Sequence, residues 1–175
     1  MDFRRITEAN PDENCDYYNR HRLRAFAHEK KVPVIAFDAI HENIDHKDGM
    51  QMEDNKFRAL AKHFECAKGC PVILIHNLDV YYGLMNGAQG EVMEIPYEKG
   101  AHPNHDNPAL RMPPVIIVDF PNYAGPPFFQ DTDKAKWVPI RPRTSRADDD
   151  DTISRTEFPL TLAFALTCLL YTSPS

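Results

Sequence analysis

Two neighbouring stretches decide how this chain folds: G-C-P-V-I-L-I-H-N-L-D at residues 69–79 and G-L-M-N-G-A-Q-G-E-V at residues 83–92. The run from Pro71 to Leu78 reads as a buried strand, and Glu91–Tyr97 as a second. Between them, Asn86 and Gly87 both tolerate positive φ, so they predict a two-residue hairpin turn. The glycines of that segment follow G-x-x-x-G-x-x-G. That spacing is wrong for a dinucleotide fingerprint, and the segment joins two strands rather than opening a helix.

Upstream, Asp12 is positioned to cap a helix over Glu13–Lys30, with Tyr18, Leu23 and Phe26 on its inner stripe and Arg20, Arg22, Arg24 and Lys30 outward. Val32–Ile40 reads as one strand, with Pro33 at its beginning, where a missing N–H does least harm. After the polar stretch His41–Gln51, the spacing of Phe57, Leu60, Ala61 and Phe64 predicts a short amphipathic helix. Downstream, a loop over Lys99–Met112 carries His102, His105 and Asp106, and strands are expected at Pro114–Phe120 and Lys136–Ile140. Arg143–Asp151 turns from basic to acidic and is expected to be a solvated, mobile loop. Phe158, Leu160, Leu162, Phe164 and Leu166 then alternate with small or polar residues, a period of two that predicts a strand. This last apolar run is too short for a bilayer and contains a proline, so no membrane partner is expected.

The chain has 175 residues, enough to bury one core, and its fifteen prolines against seven glycines favour short strands over long helices. An α/β chain with a substantial β component is expected. The net charge of −6 supplies no global field toward DNA, so any nucleic-acid role has to rest on local geometry. The first twenty residues are polar and charged, unlike a signal peptide, so Cys15, Cys66, Cys70 and Cys168 are expected to be reduced, intracellular thiols. Cys66 and Cys70 have no second ligand pair at zinc spacing, and no metal is expected.

A phosphate-gripping loop needs G-x-x-x-x-G-K-[ST], and no Gly-Lys pair occurs in the chain. No G-x-S-x-G nucleophile elbow is present either. His102, His105 and Asp106 could be drawn together as ligands of a metal-dependent hydrolase, although histidines in a proline-rich loop are ordinarily exposed bystanders. The aspartates Asp148–Asp151 could hold a cation, but flexible like-charged runs ordinarily repel one another. Trp137, beside Lys134 and Lys136, has the composition of a base-stacking site, or else is a core residue entering a strand. Residue chemistry alone reaches an α/β chain with a β-barrel-like middle and stops short of a function.

Order and spacing go further. The blocks G-C-P-V-I-L-I-H-N-L-D, G-L-M-N-G-A-Q-G-E-V, K-W-V-P-I and R-T-E-F-P-L-T-L-A-F-A-L-T occur in that order. Together they resemble the C-terminal motor region of the petite-integration-frequency (Pif) helicases, superfamily 1 relatives of RecD and of the Helitron transposon helicases. Those proteins carry G-x-x-V-M-L-x-x-N-L, then G-L-x-N-G-x-x-G-x-V, and later P-L-x-L-A-x-A-x-T. D-Y-Y-N-R-H-R-L, with Asn19, is similar to the family's entry into its second motor domain, so the resemblance runs from about Asp12 to Thr167.

The resemblance implies a partial RecA-like second motor domain interrupted by a small Src-homology-like β-barrel. Residues 1–66 would open the motor domain, 67–155 form the barrel, and 156–167 supply the return strand. Asn77, Gly83, Asn86, Gly87 and Gly90 would shape the barrel's first hairpin, and Lys134, Lys136 and Trp137 are the candidate DNA contacts. The family continues past its final A-x-T with H-K-S-Q-G, whereas this chain reads C-L-L-Y-T-S-P-S after Thr167, so residues 168–175 are expected to be non-native. Family members move along single-stranded DNA and open duplexes or junctions, in repair and recombination among other settings. They hydrolyse ATP with Mg2+ held between two motor domains. Lacking the first motor domain, the isolated chain is expected to carry no catalytic residue, to bind no cofactor and to be inactive. The parent would be intracellular, and nuclear or mitochondrial if eukaryotic. The rival reading is a stand-alone β-barrel module that binds a protein or single-stranded nucleic acid.

Overall fold

The computed structural model describes residues 11–102, 105 and 110–165. Asp106, Leu166, Thr167 and the predicted non-native tail lie outside the described residues.

Helix α1 spans Pro11–Lys30. Asp12 lies inside it rather than at its cap. Its buried face is Asn19, Leu23 and Ala27, four residues apart and therefore aligned on one side, with Phe26 half-buried beside them. Tyr18, expected on that face, is 48% exposed because the inward position one turn before Leu23 belongs to Asn19. The helix stops where Lys31 turns left-handed (φ 56°) and Val32 N–H reaches back to the Ala27 carbonyl at 3.0 Å.

The strand predicted over 32–40 is broken in two, β1 at Ile35–Asp38 and β2 at Ile40–Glu42. The break falls at Ala39, whose N–H leaves the strand to bond the Lys62 carbonyl at 3.0 Å. After it, a short helix α2 at His46–Gly49 is capped by the Asp45 carboxylate. The amphipathic helix expected around Phe57–Phe64 does not form. A 3-10 turn covers Asp54–Phe57, Arg58 and Ala59 take left-handed φ of 55° and 63°, and β3 runs over His63–Cys66. Phe57 and Leu60 do share one destination, a small core closed by Ala147, but Phe64 enters the main core from a strand.

The remaining strands are β4 Pro71–Leu74, β5 Gln89–Glu94, β6 Ile116–Asp119, β7 Trp137–Ile140, β8 Arg143–Arg146, β9 Ser154–Glu157 and β10 Leu160–Leu162. They form a five-stranded sheet in the order β10-β4-β5-β6-β7 and a three-stranded sheet β2-β9-β8, while β1 pairs with β3. Every described pairing is antiparallel. The five-stranded ladder is open, with β7 and β10 at its edges. Arg143–Arg146, expected in a mobile loop, is a strand instead. Its Ser145 is buried, and Thr144 and Thr156 join hydroxyls across to β9 at 2.7 Å. The strand predicted from Glu157 onward is shortened to β10 because Pro159 interrupts it, and the alternation survives only there: Leu160 and Leu162 are buried about a half-buried Thr161, whereas Glu157, Phe158 and Pro159 are buried in succession.

One main core joins α1 to both β1–β3 and the five-stranded sheet. The second centre is Arg155, whose side chain is completely buried. Its guanidinium donates to Asp54 (2.6 Å), to the carbonyls of Leu60 (2.9 Å), Gly49 (3.0 Å) and Met52 (3.1 Å), and to His41 Nε2 (2.9 Å). It also lies 4.2 Å above the Phe57 ring. The otherwise irregular segment 49–60 is therefore wrapped around a single fully satisfied charge.

Candidate nucleic-acid interface

The structure brings Lys134, Lys136 and Trp137 together at the start of β7. Lys134 lies at the end of a 3-10 turn over Thr132–Lys134, capped by Asp131, which aims its ammonium at the Trp137 ring 5.0 Å from the centroid. Lys134 also sits 4.0 Å from the Asp131 carboxylate, and Lys136 donates to the Pro121 carbonyl. Trp137 is half-buried with Phe129 edge-on to it at 6.2 Å. Trp137 therefore packs against Phe129 while the Lys134 ammonium lies over its ring.

Next to this group runs an aromatic series that sequence reasoning passed over. Tyr81 meets Tyr82 at 4.9 Å, Tyr82 meets Tyr123 at 6.4 Å, and Tyr123 stacks with Phe128 at 6.0 Å. Tyr81 is 87% exposed and Phe128 56%. The signal was present as Y-Y at a turn tip and F-F after two prolines, but nothing in their spacing showed that the two would meet. The meeting depends on Gly83, where a Cβ would stand 2.7 Å from the Asn122 carbonyl, and on the Ala124 N–H bond to the Tyr82 carbonyl at 3.1 Å. Exposed aromatic faces beside lysines can stack bases of any sequence while the ammonium groups meet phosphates.

The motif residues between β4 and β5 hold the loop that carries this surface. Asn86-Gly87 is not the two-residue hairpin expected. Asn86 and Gly87 do hold the two central positions of a turn closed by the Ala88 N–H on the Met85 carbonyl at 2.9 Å, with positive φ at Gly87 (91°) and not at Asn86. That turn, however, lies inside the longer loop from β4 to β5 and does not itself join the two strands. A second reversal is at Asp79–Leu84, which exchange backbone bonds of 3.0 and 2.8 Å around Val80–Gly83. Asn77 closes the loop by accepting from the Asn86 N–H at 2.7 Å. Gly90 is needed for a close approach: a Cβ there would lie 2.5 Å from Val118 and 2.7 Å from the Asp119 carbonyl.

Asn19 joins the N-terminal helix to the far end of the chain. It is 3% exposed, donates to the carbonyls of Ala165 (3.1 Å) and Leu162 (3.3 Å), and accepts from the Ala165 N–H at 2.8 Å. Phe26 packs on Phe164 at 5.6 Å in the same seam. A groove of ≈ 450 Å³ opens alongside, where Asp38 and Glu65 engage the two ring nitrogens of His63 at 2.6 and 3.1 Å.

The histidine loop offers less. His102 and His105 approach at 5.2 Å, Asp106 lies outside the described residues, and no group of three His, Cys, Asp or Glu among the described residues is placed to hold a metal. Cys66 and Cys70 are buried free thiols. Burial pushes Cys70 up to about 11 and Cys66 well above the ordinary thiol value, so neither offers the thiolate a metal or a nucleophile requires. The residues present also do not fit an ATP–magnesium site, since the chain has no Gly-Lys pair for the phosphates. Among the described residues no helix is long and apolar enough to cross a membrane.

The hairpin segment, its flanking strands and the helix that clasps β10 define a mixed α/β chain built mainly of antiparallel strands. Residues 60–95, which contain β3, β4, the Asp79–Leu84 reversal and most of β5, match the family model described as DNA helicase Pif1, 2B domain. The fold is similar to that of the Pif1 helicase from Candida albicans, with 18% identity, a TM-score of 0.55, and coverage of 90% of this chain and 34% of that one. It is likewise similar to the Pif1 helicase from Bacteroides solved with ADP-AlF3 and ssDNA, with 18% identity, a TM-score of 0.50, and coverage of 90% and 29%. The chain thus resembles Pif1 helicases in fold and spans about a third of the length of the solved structures it matches. No curated protein matches it.

Proposed function

We propose that this chain is part of an ATP-dependent DNA helicase that holds single-stranded DNA and transmits motor movement to it. In this reading residues 1–66 and 156–167 belong to a RecA-like second motor domain, and residues 67–155 form an inserted Src-homology-like barrel. ATP and Mg2+ would be held with a first motor domain outside this chain, and the parent would act inside the cell, on DNA under repair or recombination. The observation that carries the proposal is the match of residues 60–95 to the Pif1 2B domain, in a chain that follows the fold of a Pif1 helicase over 90% of its length. The solved Bacteroides relative binds ssDNA and a nucleotide analogue, which supports the same partners here.

Two measurements test it. The isolated chain is expected to bind labelled oligothymidylate with strong salt dependence and to show no DNA-stimulated ATP hydrolysis. Hydrolysis by the chain alone would overturn the assignment of catalysis to a missing domain. Absence of any oligonucleotide binding at low salt would overturn the DNA-holding role. The exposed Tyr81 and Phe128 on a chain of net charge −6 favour one second reading, a module that docks a protein through that aromatic surface.

A further inference from the structure

A second surface carries positive charge on two arginines. Arg58, His76, Asn77, Asn86, Arg143 and Thr144 line an open groove of ≈ 350 Å³ where β8 passes the end of β4. Arg58 and Arg143 are exposed, and neither guanidinium has an ion-pair partner among the described residues. The nearby Lys56 is already engaged by Asp149, and Asp54 by Arg155, so neither neutralises or extends the pair. No carboxylate lines the groove.

The groove is also held in shape by contacts that are costly to keep without a purpose. Arg58 occupies the left-handed region (φ 55°), which is strained for a long side chain, and its carbonyl is fixed by His76 Nε2 at 2.6 Å. That bond makes Nε2 the donor. Asn77 spends its carbonyl oxygen on the Asn86 N–H, which leaves its amide NH2 at the groove. Two guanidinium forks and the Asn77 amide donor lining one groove match the oxygens of a phosphodiester chain.

We propose that this groove grips the phosphate backbone of single-stranded DNA, as a site separate from the lysine and aromatic surface at β7. The proposal rests on the DNA-holding reading above. It assigns sequence-independent grip to Arg58 and Arg143, with His76 and Asn77 as positioning residues. Its chemistry is that of a phosphate anion, which free inorganic phosphate shares.

The test measures fluorescence anisotropy of labelled oligothymidylate on the full 175-residue chain and on Arg58→Gln/Arg143→Gln, with thermal melts confirming that the variant folds. Loss of about two phosphate contacts should reduce the log–log salt slope by about 1.4 and weaken binding at least tenfold at low salt. Lys134→Gln/Lys136→Gln serves as the comparison at the other surface. Unchanged affinity and slope in the arginine variant, with wild-type binding intact, would overturn the groove and leave the DNA reading standing. Failure of wild type to bind would overturn both. Displacement of the oligonucleotide by polyglutamate as readily as by unlabelled oligothymidylate would overturn the proposal in favour of an acidic peptide. Phosphate that shifts the arginine Nε resonances without competing for the oligonucleotide would overturn it in favour of a small-anion site.

Discussion

Asn19 satisfies a backbone N–H and two carbonyls more than 140 residues away, and Cys15 one turn earlier on α1 adds a thiol donor to the same Ala165 carbonyl at 3.3 Å. Asn19→Ala would take the side-chain partner from the Ala165 N–H and the Leu162 carbonyl, and should cost about 2–3 kcal/mol, read by chemical denaturation. Asn19→Asp should cost at least as much, since it removes the donor and buries a charge. His41 and Glu157 set a second expectation. Burial first, then the Arg155 and His46 charges, lower His41 to about 4 from its ordinary 6.5, with Asp54 opposing. A depressed histidine contributes stability that is full above pH 6.5 and is lost as pH falls toward 4. Burial raises Glu157 well above its ordinary 4.5, so its contribution is full below 4.5 and is lost as pH rises. Between pH 4.5 and 6.5 the two oppose each other. Relative to wild type, His41→Gln should make stability fall more steeply with rising pH in that window, and Glu157→Gln should make it climb. Denaturation midpoints across the window check both signs, and matching slopes in all three proteins would contradict the pairing.

At the scale of elements, the glycines separate close approach from turn geometry. Gly90→Ala drives a methyl into Val118 and the Asp119 carbonyl at the β5–β6 pairing and should cost about 2–3 kcal/mol. Gly87→Ala meets nothing within 4 Å and suffers only its φ of 91°, so about 1 kcal/mol is expected. Equal losses in thermal melts would show that both are turn glycines. Strands β4, β6 and β7 were legible because their apolar runs are short and bounded by turn residues. The helix expected around Phe57–Phe64 was misread for a physical reason: i, i+3 spacing records that Phe57 and Leu60 share a destination, but not the backbone that takes them there. Here Arg155, from a strand nearly a hundred residues later, holds the 49–60 carbonyls in a non-helical path. Similarly, the R-T-S-R run at β8 looked like a loop because its backbone ladder and the Thr144 hydroxyl are paired across to β9, a partner that local composition does not reveal.

Across the whole molecule, α1, β1–β3 and the five-stranded sheet share one apolar core, and β10 lies between α1 and β4. We therefore expect one cooperative unfolding transition, with amides of α1 and β10 exchanging at the same free energy in native-state hydrogen exchange. Earlier exchange of α1 would mean that the helix docks without sharing that core. Negative net charge and a cationic groove coexist here because no carboxylate lines the groove of Arg58 and Arg143, whereas Lys134 lies beside Asp131. The chemistry of an anion site is thus local even where the total charge opposes it.

The order of the hairpin blocks, the mixed α/β character and the apolar run at β10 were determined by the sequence itself, because periodicity and turn residues act over a few neighbours. Tertiary structure alone decided that Asn19 clasps residue 165, that Arg155 organises residues 49–60, and that Tyr81 reaches the Phe128 surface. Each of those depends on partners far apart in the chain, and the hydrogen bonds and packing that select them exist only once the core has closed.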